Sequence, residues 1–284
     1  MRLAANDFFR CGAQRVTVEP RTPQSRFPLH DHEFNEIVIV MSGNGWHVLN
    51  EEPRLITCGE ILYIKAEDRH AFEEVHDLYL TNVLYSSELL STGSGPAGID
   101  GGDACQRRNW QVDEDVLGQV RPLLDRLFRE TKGADPLSAV MAESLFLQLA
   151  VILCRNRFAA DGDGLPGASR LGQVLAYLRH NCTEQIDFDD VARRFGYSLR
   201  NFARVFHEAT ATTPHNYLVR LRLGHAMRSL RLSDNVTEVA FASGFNDSNY
   251  FSYAFRKLTG LSPSEYRRRI QQHGRVLSGS EAAS

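Results

Sequence analysis

Two histidines and a glutamate alternate in the first third of the chain: His30, His32 and Glu36. Residues of equal parity on an extended strand point to one face, so these three side chains are expected to lie together. Two imidazoles and a carboxylate can bind a divalent metal ion, with His70 in a later turn as a fourth ligand. The same side chains can instead hydrogen-bond to sugar hydroxyls, with Trp46 stacked on the C–H face of the ring. A lone strand tryptophan is, however, more often part of a core.

The spacing of this cluster resembles the first motif of the cupin family, in the pattern His30-x-His32-x3-Glu36-x6-Gly43. That resemblance implies a β-barrel around the cluster. The second cupin motif is only partly matched, because Gly59 and His70 fit while the internal Pro-x-Gly is missing. The motif therefore leaves a metal site and a metal-free sugar pocket open as alternatives.

A second group of candidate residues lies in the last third of the chain. The sequence after Ser198, a good helix N-cap, predicts a helix that presents Arg200, Asn201 and Arg204. Arginine can bind O6 and N7 of guanine with both arms of its guanidinium group, so this face predicts contacts to DNA bases. Contact with phosphates is the alternative, because about half or more of protein–DNA hydrogen bonds go to the backbone.

These arginines belong to one copy of an internal repeat. Each copy predicts a helix, a glycine-bearing turn, a second helix and a proline-marked stop, which together make a helix-turn-helix. The second copy presents Ser248 and Asn249. The repeated positions are Val191-Ala192, Gly196, Phe206, Pro214 and Tyr217, then Val239-Ala240, Gly244, Phe255, Pro263 and Tyr266. A helical run over 214–232 joins the copies and would place the two readers about 34 Å apart, one turn of DNA.

The charge distribution agrees with a nucleic-acid partner. Residues 170–275 hold 16 Lys and Arg against 9 Asp and Glu, a net charge of +7, whereas the whole chain has −3. Arginine dominates this basic segment, and its planar fork suits phosphates and guanine edges. A solvated helical surface is the plainer explanation, and charge alone does not separate the two.

The C-terminal third resembles the arabinose-regulator family of transcription regulators. The matching residues are Ala226-x3-Leu230, Val239-Ala240-x3-Gly244-Phe245-x4-Tyr250-Phe251-x3-Phe255-Arg256-Lys257 and Ser262-Pro263-x2-Tyr266-Arg267. One departure is Ala211, where the first copy usually has a helix-terminating glycine and the second has Gly260; alanine there implies strain at a left-handed cap. The resemblance further implies that Glu238 and Asp247 contact the RNA polymerase sigma subunit, although Asp247 is also a good cap for its helix.

Motifs near the N-terminus look like those of activators of L-rhamnose catabolism genes. They are Asp7-Phe8-Phe9, Glu19-Pro20-Arg21-x-Pro23-Gln24, Glu36-Ile37-Val38-Ile39-Val40, His47-Val48-x-Asn50 and Thr81-Asn82-Val83-Leu84-Tyr85. The resemblance then spans nearly the whole chain and implies a dimeric activator that responds to L-rhamnose. The alternatives are a regulator with another effector or a repressor role, and a metal-dependent cupin enzyme such as a dioxygenase or isomerase.

We therefore predict an α+β fold of two domains. Residues 1–158 form a cupin-like β-barrel followed by helices over about 113–158, whose apolar stripes predict a homodimer. Residues 159–169 form a linker, and 170–275 form an all-α DNA-binding domain with helix-turn-helix motifs at about 189–210 and 236–259, joined by a long helix. Residues 276–284 are a disordered tail.

The sequence also predicts a cytoplasmic protein that does not bind membranes. By this expectation no stretch approaches the roughly 20 apolar residues that span a bilayer, and the N-terminus has no apolar region typical of a secretory signal. The five cysteines are odd in number and never form a C-x-x-C pair, which fits a reducing compartment.

Overall fold

The computed structural model describes residues 1–9, 14–91, 108–133, 135–160, 170–233 and 235–270. The strands are β1 (Arg2–Leu3), β2 (Val16–Arg21), β3 (Phe27–His32), β4 (Asn35–Leu49), β5 (Glu52–Thr57), β6 (Glu60–Ile64), β7 (His70–Tyr85) and β8 (Asn109–Gln111). The α-helices are α1 (Glu114–Glu130), α2 (Pro136–Ala160), α3 (Arg170–His180), α4 (Phe188–Arg194), α5 (Leu199–Thr210), α6 (Pro214–Ser229), α7 (Val236–Ala242) and α8 (Ser248–Thr259). A further helical segment covers 263–270.

Two long strands, β4 and β7, organise the N-terminal sheet. The first half of β4 pairs with the second half of β7 and with β6, while its second half pairs with the first half of β7 and with β5. On the other side, β7 pairs with β2 along its second half and with β3 along its first. The sheet thus has two parts that share β4 and β7. Together the two parts enclose a pocket, as the predicted barrel architecture requires.

The apolar run in β4 explains why this strand lies at the centre. Ile37 and Ile39 belong to one core cluster, with α1 and α2, whereas Val38 and Val40 belong to a second cluster inside the sheet. All four are fully buried. Alternate residues of a strand face opposite sides, so a continuous apolar run is suited to a strand covered on both faces.

The apolar stripes on α1 and α2 pack mostly within one chain. Leu123 and Leu127 of α1, and Leu145 and Leu149 of α2, are all buried against the sheet and each other. The chain itself therefore covers most of these stripes, and a homodimer stays a prediction. The apolar side chains of α2 that remain exposed are Leu137, Val140, Val151 and Met141, the last of which belongs to the predicted stripe.

Helix α2 also corrects the expectation about long apolar stretches. Residues Pro136–Asn156 form a helix long and apolar enough, by length and composition, to cross a membrane. Core helices of soluble proteins pass the same test. Phe146, Ala150 and Leu153 of this helix are fully buried against the sheet domain, so its apolarity is explained by packing.

The C-terminal part has two helix-turn-helix units, α4–α5 and α7–α8, joined by α6. Its core contains paired aromatic residues from the two units: Phe202 and Phe206, then Phe251 and Phe255. Positive φ at Gly196 and Gly244 allows the tight turn after the first helix of each unit. The repeat in the sequence is therefore a repeat in the structure.

The two parts of the molecule share an interface. Trp46 and Leu55 of the sheet belong to the core cluster of the helical part, and the Trp46 ring lies against Gly224 of α6. Arg220 of α6 is buried and donates to Asn44 and to the carbonyl oxygen of Glu74, the latter at 2.8 Å. This contact was not predicted.

Two segments of the predicted domain plan lie outside the described residues. Residues 161–169 of the linker are among them, while 159–160 form the end of α2. The predicted tail at 276–284 is also outside.

Candidate effector pocket and DNA-reading helices

The sheet encloses a pocket of about 220 Å³. It is lined by Leu3, Phe8, Arg21, Pro23, Gln24, Ser25, Phe27, His30, His32, Phe34, Glu36, His70, Phe72, Asn82 and Leu84. Seven of these residues are apolar or aromatic and eight are polar or charged, so the wall offers both a surface for an apolar face and many hydrogen-bonding groups.

Three of the five predicted pocket residues converge on one point. Nε2 of His32 and Nε2 of His70 each lie 3.4 Å from Oε2 of Glu36, and all three residues are buried. His30 lines the same pocket, with its ring centroid 4.0 Å from that of His70, but does not join this cluster. Its Nδ1 instead lies 2.9 Å from the carbonyl oxygen of Pro28.

The hydrogen bonding of His32 fixes which of its nitrogens faces Glu36. Nδ1 lies 2.6 Å from the carbonyl oxygen of Phe34, which can only accept, so Nδ1 carries the proton. In neutral His32, Nε2 then presents a lone pair to a carboxylate oxygen. Nε2 of His32, Oε2 of Glu36 and Nε2 of His70 have no hydrogen-bond partner among the described residues. Buried polar atoms of this kind are normally satisfied, so the arrangement calls for a donor group or a cation from outside the chain.

Burial favours the neutral form of His30, His70 and the adjacent His47. Desolvation lowers the pKa of His30, and it lowers the pKa of His70 well below the usual value, with help from His47, His30 and His32. Desolvation also lowers the pKa of His47 to about 3. Neutral imidazole is the form that binds a metal ion or exchanges hydrogen bonds with a hydroxyl.

Trp46 is not in this pocket, contrary to the prediction. Register shifts in β4 between Val40 and Trp46 interrupt the alternation of its side chains, so the parity of Glu36 does not carry through to Trp46. His47 takes an inward position instead, with Nε2 at 3.1 Å from Nδ1 of His70. The sequence did not point to His47, which contacts His70 without lining the pocket itself.

The donor set of His32, Glu36 and His70 fits a divalent ion chemically. Two imidazoles and one carboxylate with open positions suit Zn²⁺ and several other first-row metals. The bond from Nδ1 of His32 to a carbonyl is the kind of outer contact that orients metal-binding histidines. The ligand atoms lie within 4.8 Å of one another.

Helix α5 presents the first predicted DNA-reading face. Arg200, Asn201 and Arg204 are exposed, while Phe202 is buried on the opposite side. Arg204 is bound within its own helix, because its guanidinium donates to Glu208 at 2.7 and 2.8 Å and to Asn201 at 2.9 Å. Glu208 was not part of the predicted site. Such an exposed ion pair contributes about 0–1 kcal/mol, so DNA could displace it.

Helix α8 presents the second face. Asn249 is exposed and Ser248 is half-buried at the start of the helix. Asp247 caps α8, accepting from the backbone N–H of Asn249 at 2.8 Å. Tyr253 is 64% exposed on the same helix, and sequence reasoning did not select it.

Glu238 has a local partner at the start of α7. Its Oε1 accepts from the side-chain amide of Asn235 at 2.8 Å, and its backbone N–H donates to Asn235 at 3.2 Å. This reciprocal pair resembles a capping box. Both acidic residues therefore have a structural role that does not depend on polymerase.

Known proteins match both parts of the chain. Residues 13–150 match the AraC-like ligand binding domain family, and residues 191–269 match a helix-turn-helix domain family. The HTH-type transcriptional activator RhaR of Cronobacter sakazakii is 38% identical over 282 residues, covering 96% of each protein. RhaS of Escherichia fergusonii is 40% identical, covering 94% of this chain and 96% of that protein.

Among solved structures, the DNA-binding domain of AdpA in complex with a target DNA is 33% identical, with a TM-score of 0.36. It covers 37% of this chain and 96% of that one. The identity to RhaR and RhaS extends over nearly the whole length of both proteins, and these relatives are transcription activators rather than enzymes. The chain therefore belongs to the AraC-type family of transcription regulators that includes RhaS and RhaR, and it is not an enzyme.

Proposed function

We propose that this protein is a cytoplasmic, sequence-specific DNA-binding activator that responds to L-rhamnose. The observation that carries the proposal is a buried polar pocket in the same chain as two exposed DNA-reading helices. The names of its relatives support activation, and RhaS and RhaR support rhamnose as the effector. A regulator for another effector, or a repressor, is the alternative.

A sugar suits the unsatisfied atoms of the pocket. A hydroxyl group can donate to Oε2 of Glu36 or to Nε2 of His32, and its oxygen can accept from the Asn82 amide, whose residue lines the same pocket. Apolar surface from Phe72 and Leu84 can cover the C–H face of a ring.

A thermal-shift panel of sugars on the purified protein tests the effector. L-Rhamnose at 100 times its Kd should add about 2.7 kcal/mol to the free energy of unfolding. Glu36→Gln should abolish that stabilisation, whereas Glu88→Gln, at an exposed residue in the short helical turn after β7, should leave it unchanged. If another sugar stabilises the protein and L-rhamnose does not, that other sugar is the effector. The family to which the chain belongs is unaffected by this result.

Base reading by α5 is tested with Arg204→Ala. Loss of a bidentate contact to guanine should weaken specific binding by roughly 1–3 kcal/mol and relax preference at one base position. Arg126→Ala, on the exposed face of α1, is the matched control. A uniform loss across a set of singly substituted DNA sites would identify a phosphate contact instead. Arg200, Asn201, Ser248 and Asn249 are tested in the same way.

Polymerase contact by Glu238 or Asp247 must be separated from helix capping. Asp247→Asn keeps a good cap while removing the charge, and Asp247→Ala removes both. If the charge contacts the sigma subunit, both variants lower transcription at saturating DNA occupancy. If Asp247→Ala lowers transcription and DNA affinity equally, and Asp247→Asn has both at the wild-type level, then Asp247 acts only as a helix cap. Glu238→Gln provides the corresponding test on α7.

A divalent metal ion in the pocket is the second candidate for the effector site. The approach of a lone pair on His32 to the carboxylate of Glu36 favours it. Co²⁺ titrated into the apoprotein should give visible d–d absorption with one equivalent bound, and His70→Ala should lose that absorption. Metal-free protein that binds sugar and shows no Co²⁺ absorption would support the sugar alone.

We propose a homodimer formed by the exposed face of α2. Val140 is 63% exposed and Val151 is 45% exposed, eleven residues apart on the same helix. Val140→Asp with Val151→Asp should give monomers in sedimentation without loss of folding, because both side chains are exposed. Leu123→Asp, in the core, should instead unfold the protein. A wild-type chain that stays monomeric at micromolar concentration would rule out this interface.

A further inference from the structure

A second cavity lies outside the effector pocket, between the two parts of the molecule. The β4–β5 hairpin and the start of β8 form one wall, and the end of α3 with the middle of α6 forms the other. Its volume of about 510 Å³ is more than twice that of the effector pocket. It shares none of the pocket's lining residues.

Four arginines line this cleft: Arg54, Arg108, Arg179 and Arg228. The carboxylates that neutralise these arginines are distributed unevenly among them. Glu60 must serve two of them, since its carboxylate lies 2.6 Å from Arg179 and 3.7 Å from Arg54. Arg108 is paired separately, at 2.5 Å from Asp68. Arg179 lies on the helical wall and Arg54 on the sheet wall, so one carboxylate shared between them leaves an excess of positive charge between the two walls.

Arg228 adds positive charge from the helical side. No ion pair involves Arg228 among the described parts of the chain, and its one recorded hydrogen bond is a long one, 3.5 Å to the carbonyl oxygen of Pro53. Burial lowers the pKa of Arg228, with nearby Glu52 acting in the opposite direction. Glu52 itself contacts Arg231 at 3.2 Å. A partly buried guanidinium group without a close carboxylate is stabilised when an anion enters beside it.

We propose that this cleft is a second ligand site, for a phosphorylated monosaccharide. The guanidinium forks of Arg54 and Arg228, from opposite walls, match the oxygens of a phosphate monoester. Asn109 lines the cleft, and its buried Oδ1 has no hydrogen-bond partner within the described chain, so it can accept from a sugar hydroxyl. Trp46 and Leu221 supply apolar surface for the ring.

The position of the cleft gives such a ligand a distinct effect. Arg54 belongs to β5 and Arg228 to α6, so one phosphate group that contacts both would hold the sheet against the helix joining the two DNA readers. The site would thus respond to a phosphorylated metabolite independently of the pocket around Glu36. The proposal does not depend on which sugar that pocket binds.

Calorimetric titration of the full-length protein tests the site with three compounds: α-D-glucose 1-phosphate, inorganic phosphate and D-glucose. The sugar phosphate should bind with one equivalent, inorganic phosphate more weakly, and glucose without measurable heat. Arg228→Met and Arg54→Met should each weaken binding of the sugar phosphate roughly tenfold or more. Arg126→Met, an exposed arginine on α1, should have no effect.

The side chain of Arg54 is 45% exposed, so its replacement tests the site even if Arg228→Met unfolds the protein. Absence of saturable binding by either phosphate compound would overturn the proposal. Binding that survives both Arg54→Met and Arg228→Met would also overturn it, because the phosphate would then bind elsewhere, as on the DNA-reading arginines. Equal affinity for inorganic phosphate and sugar phosphate would overturn the sugar part.

Discussion

Single residues at the ends of helices show where the two repeat copies differ energetically. Ala211 ends α5 with φ of 52°, while Gly260 ends α8 with φ of 74°. Both are left-handed caps whose backbone N–H bonds back into the helix. An alanine in this conformation places its Cβ close to a carbonyl oxygen, which glycine avoids. The departure from the family pattern at Ala211 is therefore strained, as the sequence predicted.

Ala211→Gly should raise the free energy of unfolding by about 1 kcal/mol. Urea titration followed by circular dichroism measures it, as a higher midpoint with an unchanged slope. The reverse change, Gly260→Ala, should lower the free energy of unfolding by a similar amount. A destabilised Ala211→Gly protein would show that the unfolded chain's greater freedom outweighs the relief of strain.

Glu208 limits how freely Arg204 can contact DNA. Its carboxylate holds the guanidinium group, and on the proposed DNA-reading face it would also bring negative charge toward the phosphates. Glu208→Gln should strengthen DNA binding several-fold, because it removes repulsion and releases the arginine. The measurement is Kd at a fixed salt concentration, with Glu88→Gln in the sheet domain as the control for net charge. Unchanged or weaker binding would mean that the pair orients Arg204 for the base.

Three histidines in and beside the pocket predict how stability depends on pH. His30, His47 and His70 have folded pKa values below the usual value of about 6.5 that holds in the unfolded chain. The unfolded chain therefore binds more protons below about pH 6.5, so stability falls as the pH drops through that value. For His47 the loss continues toward about pH 3.

His47→Gln should reduce the loss of stability between pH 7 and pH 5 by up to about 2 kcal/mol. Unfolding in urea at both pH values gives this difference directly. His215→Gln changes an exposed histidine outside the pocket and should leave the pH dependence as in the wild type. An unaltered slope in His47→Gln would mean that His47 binds protons equally well in the folded and the unfolded protein.

At the level of strands and helices, regular patterns could be read from the sequence and interruptions could not. The glycine turns and aromatic positions of the repeat have fixed spacing because each copy packs the same small core, so the helices α4, α5, α7 and α8 follow from the sequence. The bulges of β4 depend on pairing with β7, which is distant in sequence. These bulges turn Trp46 outward and His47 inward. Counting alternate residues from Glu36 assumes a regular strand, so it cannot predict the bulges.

Helix α6 approaches the sheet more closely than a side chain would allow. A Cβ on Gly224 would lie 2.8 Å from the edge of the Trp46 ring. Gly224→Ala should therefore destabilise the protein, although alanine favours helices, because the helix must move away from the sheet. Gly118→Ala in α1 is the matched control: nothing lies within 4 Å of its added Cβ, so it should stabilise by up to about 1 kcal/mol. Equal stabilisation by both would refute the close contact.

Over the whole molecule, the contact between the two parts predicts how the protein unfolds. Asn44 donates to the carbonyl oxygen of Thr210 at 2.5 Å and accepts from Arg220, which is 9% exposed. Burial lowers the pKa of Arg220 to about 10, so the charge is retained near neutral pH. The sequence offered no sign of this contact, since Asn44 falls in a predicted hairpin turn and Arg220 in a predicted joining helix.

Because polar groups and apolar side chains are buried together here, the sheet and the helical part should unfold in one transition. Calorimetry of the wild type should give a calorimetric enthalpy equal to the van't Hoff enthalpy. Arg220→Met leaves the side chain of Asn44 buried without its donor, at a cost of about 1–3 kcal/mol, and should split the transition in two. Arg222→Met, whose bonds go to carbonyl oxygens of Cys182 and Glu184 within the helical part, should lower the midpoint but keep one transition. Two transitions already present in the wild type would show that the parts are independent in solution, and the cleft between them would then open and close without resistance from this contact.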